Sequence, residues 1–297
     1  MIMAMVEPTS PRPGVAFVLG GGGVLGATQV GMLQALLEHG IQPDLVLGTS
    51  VGALNGAMLA ADPSLDSVSA LTELWSKLAE SEVFSGSVFG RARTLIKHGT
   101  HLHSSDALRQ LAADHLSVRN IEELQVPFQC VAASIERATS HWFTAGPISE
   151  AVLASCAVPG LLPPVEIDGE HFLDGGLVHS IPVGRAVALG ARTIYVLHVG
   201  RVEQPLRPPR FPWEVGLVAF EIARRHRFVE EMAALSGNVE VHVLPSGDPD
   251  TPLVTMRYRD ASRVAARIER GYTASARYLS GSAGASGATG ARPRSTG

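Results

Sequence analysis

The chain has 297 residues, 45% hydrophobic and 18% charged, with a formal net charge of −4 at pH 7. That length can bury a large core in one or two domains, and the mild negative charge without a concentrated basic stripe gives no electrostatic reason to expect nucleic acid. Its two cysteines, Cys130 in an apolar run and Cys156 among small residues, read as buried reduced thiols, so a reducing, cytoplasmic setting is expected.

In chain order, residues 1–13 have neither a basic leader nor an apolar stretch of signal-peptide length, and they read as a flexible segment. No window approaches a membrane-spanning run, which leaves a soluble protein with peripheral membrane contact open to it. Val15 to Leu19 reads as a buried strand, followed by the glycine run GGGGVLG at Gly20 to Gly26 and a helix from about 26 to 39. A second strand, 45–48, leads through GTSVG at Gly48 to Gly52 into a helix over 52–61, and a helical stretch covers 66–80.

Residues 81–103 lack a strong period and are expected to form an irregular excursion, with the apolar part Val83 to Ile96 a candidate lid. A helix over 105–116 follows, then a strand at Phe128 to Ser134, an extended piece at His141 to Thr144 and a helix from Ile148 to Ala157. VEIDGEHFL reads as a hairpin turning at Asp168 and Gly169, which leads to Asp174-Gly175-Gly176. A strand at Thr193 to Val199, a Pro- and Arg-rich loop over 200–212 and a long helix from Trp213 come next. In that helix Val215, Val218, Ile222, Val229 and Met232 are expected to form the core stripe, with Arg224, Arg225 and Arg227 on a solvated face. A strand at 239–244 and a helix at 262–280 complete the fold, and the Gly/Ser/Ala-rich residues 281–297 read as a disordered tail. Strands alternating with helices imply a parallel sheet covered by helices.

Two turns carry the chemistry. GTSVG matches GxSxG where a strand passes into a helix, so Gly48 and Gly52 leave room for a sharp turn that exposes Ser50 as a nucleophile. A helix-capping serine is the bland alternative. The glycine run can aim backbone N–H groups at an anion. It also satisfies GxGxxG through Gly21, Gly23 and Gly26, the dinucleotide fingerprint, but Asp44 precedes the second strand and Ser50 stands at its end, where a nucleotide fold wants its acid. Asp174 is a carboxylate at a strand end, to be weighed against a turn or cap aspartate.

LGGGGVLG, GTSVG, ASCAVPGLLPPVEIDG and DGG, in this order, resemble the patatin-like phospholipases over residues 14–280. The resemblance implies an α/β, three-layer fold with a mainly parallel central sheet flanked by helices. It implies a Ser50/Asp174 catalytic dyad in a lipid acyl hydrolase, without metal or cofactor. Gly21, Gly22, Gly23 and Gly26 match its GGGxRG oxyanion loop, with the N–H groups of Gly21 to Gly23 as expected donors. Gly48, Gly52, Gly175 and Gly176 support the motifs, and Leu25 stands at the family's basic position. The implied partner is a lipid or other acyl ester. Three other readings remain: a Ser/Asp/His esterase using His198 or His242, a lipid- or protein-binding module with decayed chemistry, and metal binding by His98, His101 and His103, whose spacing matches no strong zinc signature.

Overall fold

The structure, a computed structural model, describes residues 14–80, 118–199, 205–206, 208–209, 212–235, 238–247 and 262–286. The candidate lid, the helix expected at 105–116, the three-histidine cluster, the N-terminal segment, most of the 200–212 loop and residues 287–297 lie outside them. The described strands are β1 (Val15–Leu19), β2 (Leu45–Thr49), β3 (Phe128–Ser134), β4 (Thr139–Phe143), β5 (Val165–Ile167), β6 (Glu170–Asp174), β7 (Thr193–Leu197) and β8 (Glu240–Val243). The described helices are α1 (Ala27–Glu38), α2 (Val51–Ala61), α3 (Leu65–Glu80), α4 (Ile148–Ser155), α5 (Val183–Ala188), α6 (Pro212–Ala233) and α7 (Ser262–Ser286).

One sheet runs β5-β6-β3-β2-β1-β7-β8, with β4 on β3. β3, β2, β1, β7 and β8 are parallel neighbours, whereas β4 and β6 run antiparallel to β3 and β5 antiparallel to β6. The hairpin turns at Asp168 (φ 52°) and Gly169 (φ 78°), the left-handed pair that a tight two-residue turn requires.

Side chains alternate across the sheet. Phe17, Leu19 and Val46 enter a core built with α1, α2, α3, α4 and α7, while Ala16, Val18, Leu45 and Leu47 enter a second core with α5 and with Phe228 and Met232 of α6. The result is the expected three-layer α/β architecture. All of α2 is buried, consistent with its nearly polar-free sequence. α1 and α7 approach through glycine: a Cβ on Gly31 would lie 2.0 Å from the Ile268 carbonyl oxygen, and one on Gly271 would lie 2.5 Å from that of Thr28.

Two expectations are corrected. α7 continues to Ser286, six residues into the expected tail, because lengthening an existing helix carries no nucleation cost. In α6, Val215, Ile222 and Val229 are exposed whereas Arg224 is only 7% exposed. Met232 does face the core, but the rest of the inward face consists of Phe220 against Gly176, Arg224 against the glycine loop, Phe228 on the core and Glu231 on His179. This face meets loop carbonyls and turns, whose polar atoms need partners, so its inward pattern is mixed rather than aliphatic.

Candidate active site

The elbow after β2 has the geometry its sequence requires. Ser50 adopts φ 55°, ψ −128°, a left-handed conformation that is costly for a residue with a Cβ and is held by its surroundings. A Cβ on Gly48 would lie 2.5 Å from Ala53 Cα, and one on Gly52 would lie 2.2 Å from the Leu19 carbonyl oxygen. Only glycine fits so close a return of the chain. The Ser50 N–H donates to Ser155 Oγ (2.8 Å), and that hydroxyl donates to the Val131 carbonyl (2.7 Å).

Strand pairing explains why Asp174 meets this serine. β2 pairs with the first half of β3, ending at Thr49 opposite Val131. β6 takes over from the opposite direction, with Asp174 opposite Ala132. Because β4 occupies the other edge of β3 over Cys130 to Ser134, β2 and β6 share one edge and abut at their C-terminal ends. Ser50 follows one end and Asp174 forms the other. Gly175 makes the junction possible, since a Cβ there would lie 2.1 Å from the Val131 carbonyl oxygen.

The Asp174 carboxyl is buried, 1% exposed; Oδ1 accepts the Gly176 N–H at 2.7 Å, and Oδ2 has no hydrogen-bond partner among the described residues. Burial raises its pKa to about 6, against the opposing pull of the nearby Ser50 hydroxyl, the Gly176 N–H and the Arg224 charge. The serine thus lies close enough to influence the acid without an aligned hydrogen bond, as catalytic pairs often do before substrate binds.

The glycine loop is held at both ends. Gln29 Nε2 donates to the carbonyls of Gly20 (2.7 Å) and Leu197 (3.0 Å). Asn55 Nδ2 donates to Gly26 O (3.0 Å) and Gln29 Oε1 (2.8 Å), while Trp75 Nε1 donates to Asn55 Oδ1 (3.0 Å). Each amide in this buried network is satisfied, which fixes the loop relative to α1, α2 and α3. A Cβ on Gly21 would sit 3.3 Å from that of Ser50, Gly23 has φ +55°, and a Cβ on Gly26 would collide with Val51 and Trp75. One expected donor is corrected: the Gly21 N–H already donates to the Ser180 carbonyl at 3.0 Å. Leu25 is half-buried and packs on the larger core.

The histidine alternatives make other contacts. His242 of β8 bonds Tyr278 through Nδ1 (3.2 Å), faces Glu240 through Nε2 (3.1 Å) and stacks on Tyr195. His198 stacks on Phe228 just beyond β7, with β1 between its strand and that of Ser50. Both cysteines are buried and free, and burial pushes both thiol pKa values up. The sequence motifs do not mark Ser155 or Arg224, which bond the elbow and the glycine loop. The first lay inside the ASCAVPG segment without an assigned role, and the second was indistinguishable from a solvated Glu221–Arg224 helix pair.

A model of the patatin-like phospholipase family matches residues 17–187, more than half the chain and every expected catalytic and motif residue. The chain belongs to this family. Among its relatives are patatin-like phospholipase domain-containing protein 7 of Rattus norvegicus, 32% identical over 188 residues, and lysophospholipase nte1 of Aspergillus terreus, 30% identical over 189. Those alignments cover 63% and 64% of this patatin-like chain but only 14% and 12% of the relatives. VipD of Legionella pneumophila aligns over 92% of this chain and 67% of its own, at 14% identity and a TM-score of 0.43.

Proposed function

We infer that this chain is a serine lipid acyl hydrolase working through a Ser50/Asp174 dyad. The observation that carries the reading is the abutment of β2 and β6, which brings a strained serine near a buried carboxyl whose second oxygen has no partner among the described residues. Asp174 accepts the Ser50 proton as Oγ attacks the ester carbonyl. The tetrahedral oxyanion takes N–H bonds from Gly22 and Gly23. Collapse expels the alcohol, which receives the proton from Asp174, and leaves an acyl-serine. Water, deprotonated by the same carboxylate, then releases the fatty acid and restores Ser50.

With a pKa of about 6, Asp174 is ionised at neutral pH yet basic enough to accept a proton in the transition state. Family membership and relatives named as phospholipase-domain proteins and lysophospholipases support a lipid ester as substrate. Such substrates are presented at lipid surfaces, so reversible association with vesicles belongs to the proposal. Equal activity on monomeric and aggregated ester, with no vesicle flotation, would reject interfacial action.

Hydrolysis of a lysophospholipid, phospholipid, glyceride and simple ester panel by four proteins tests the mechanism. Ser50→Ala should lose turnover, Asp174→Asn should be severely impaired, and His198→Ala and His242→Ala should remain active. Loss of turnover in a folded histidine variant, with Asp174→Asn active, would instead establish a histidine-dependent triad.

A further inference from the structure

We propose that Arg224 is a positioning residue for the oxyanion loop: it pins the Gly21–Gly22 peptide and thereby orients and polarises the Gly22 N–H. The inference rests on the serine-hydrolase reading above. Arg224 lies on α6, beyond the segment matched to the family, and is buried. Its Nε and Nη2 grip the two Glu221 oxygens at 3.1 and 3.0 Å, which fixes the plane of the guanidinium. The remaining nitrogen, Nη1, donates to Gly21 O and Ser180 Oγ, each at 3.3 Å.

A trans peptide is planar, so the carbonyl of one residue and the N–H of the next point in opposite directions. Holding Gly21 O toward α6 therefore turns the Gly22 N–H away from α6. The Gly21 N–H is tied to the Ser180 carbonyl at 3.0 Å, so Gly21 is fixed from both sides of its Cα, beside Ser50. A cationic donor on a peptide oxygen also draws electron density from that peptide and strengthens its N–H as a donor. Position 25 carries no charge that could do this from within the loop.

The same guanidinium acts on the base. Besides burial, Asp174 is influenced by the Ser50 hydroxyl, the Gly176 N–H and, least of the three, the Arg224 charge from α6; Cys156 after α4 feels the Asp174 charge and that of Cys130 on β3. Among these groups Arg224 is the cation, and it favours the ionised carboxylate.

The test compares wild type, Arg224→Gln and Arg224→Lys by steady-state kinetics from pH 5 to 9, alongside thermal melting and fluorophosphonate labelling of wild type at Ser50. An oxyanion donor acts in the transition state, so Arg224→Gln should lose roughly 10- to 100-fold in kcat with little change in KM. Its acid limb should also move to higher pH. Arg224→Lys should keep the acid limb near that of wild type and fall between the two in kcat. A purely structural arginine would lower the melting temperature but leave kcat and the acid limb of the folded variant unchanged, which would overturn the proposal. If Arg224→Gln does not fold, Arg224→Lys decides alone, because an unchanged kcat without the Glu221 fork would reject the positioning role. A hydrolysing wild type unlabelled at Ser50 would remove the underlying reading instead, whatever the Arg224 variants do.

Discussion

At Asp174, burial and function oppose each other. Its carboxyl has a folded pKa of about 6 against an ordinary value of 3.8, so the folded state holds the proton more tightly than the unfolded state. The stability cost of ionisation is therefore absent below about pH 4, develops between about pH 4 and 6, and reaches about 3 kcal/mol above that range. Asp174→Asn should consequently melt higher than wild type at pH 8, with the gain vanishing near pH 4, even as turnover is lost. Wild-type kcat/KM should rise with pH through about 6, since the proton must leave Asp174 before it can act as base. Ser50→Gly, which relieves the positive φ, should stabilise the inactive protein by about 1 kcal/mol in denaturant titrations. The tight turns at Ser50 and Asp174 were legible in the sequence because the glycines around them are demanded by backbone contacts as close as 2.1 Å. Ser155 and Arg224 were not, since their roles depend on carbonyls supplied by Val131 and Gly21, distant in sequence.

At the scale of elements, β1, β2, β3 and the hairpin were readable from short apolar runs and turn residues. α6 was readable as a helix but not in its orientation. Its aliphatic residues recur every seven positions, Val215, Ile222 and Val229, and hydropathy alone turns that stripe inward. The structure turns it outward because the opposite face carries the groups that bond the glycine loop and His179. The α1–α7 crossing makes a separate prediction. Adding a methyl at Gly31 or Gly271 drives it into a carbonyl of the facing helix, so Gly31→Ala or Gly271→Ala should destabilise the fold by roughly 1–3 kcal/mol, measured by urea unfolding.

Across the whole molecule, the proximity of Ser50 and Asp174 is a consequence of topology. β3 changes partner midway, and the place where β2 stops and β6 begins is where Ser50 and Asp174 come together. The family match ends at residue 187, yet α6 contacts the glycine loop and α7 lies against α1, so the described C-terminal helices belong to the same folded unit. Sequence motifs marked the two turns but not this handover, because strand order and register arise only once the sheet forms. Covalent labelling with a fluorophosphonate, followed by mass mapping, tests the proposed Ser50/Asp174 dyad most directly. Wild type should carry the adduct on Ser50, with labelling abolished in Ser50→Ala and strongly slowed in Asp174→Asn. An adduct on another serine, or undiminished labelling of Asp174→Asn, would contradict it.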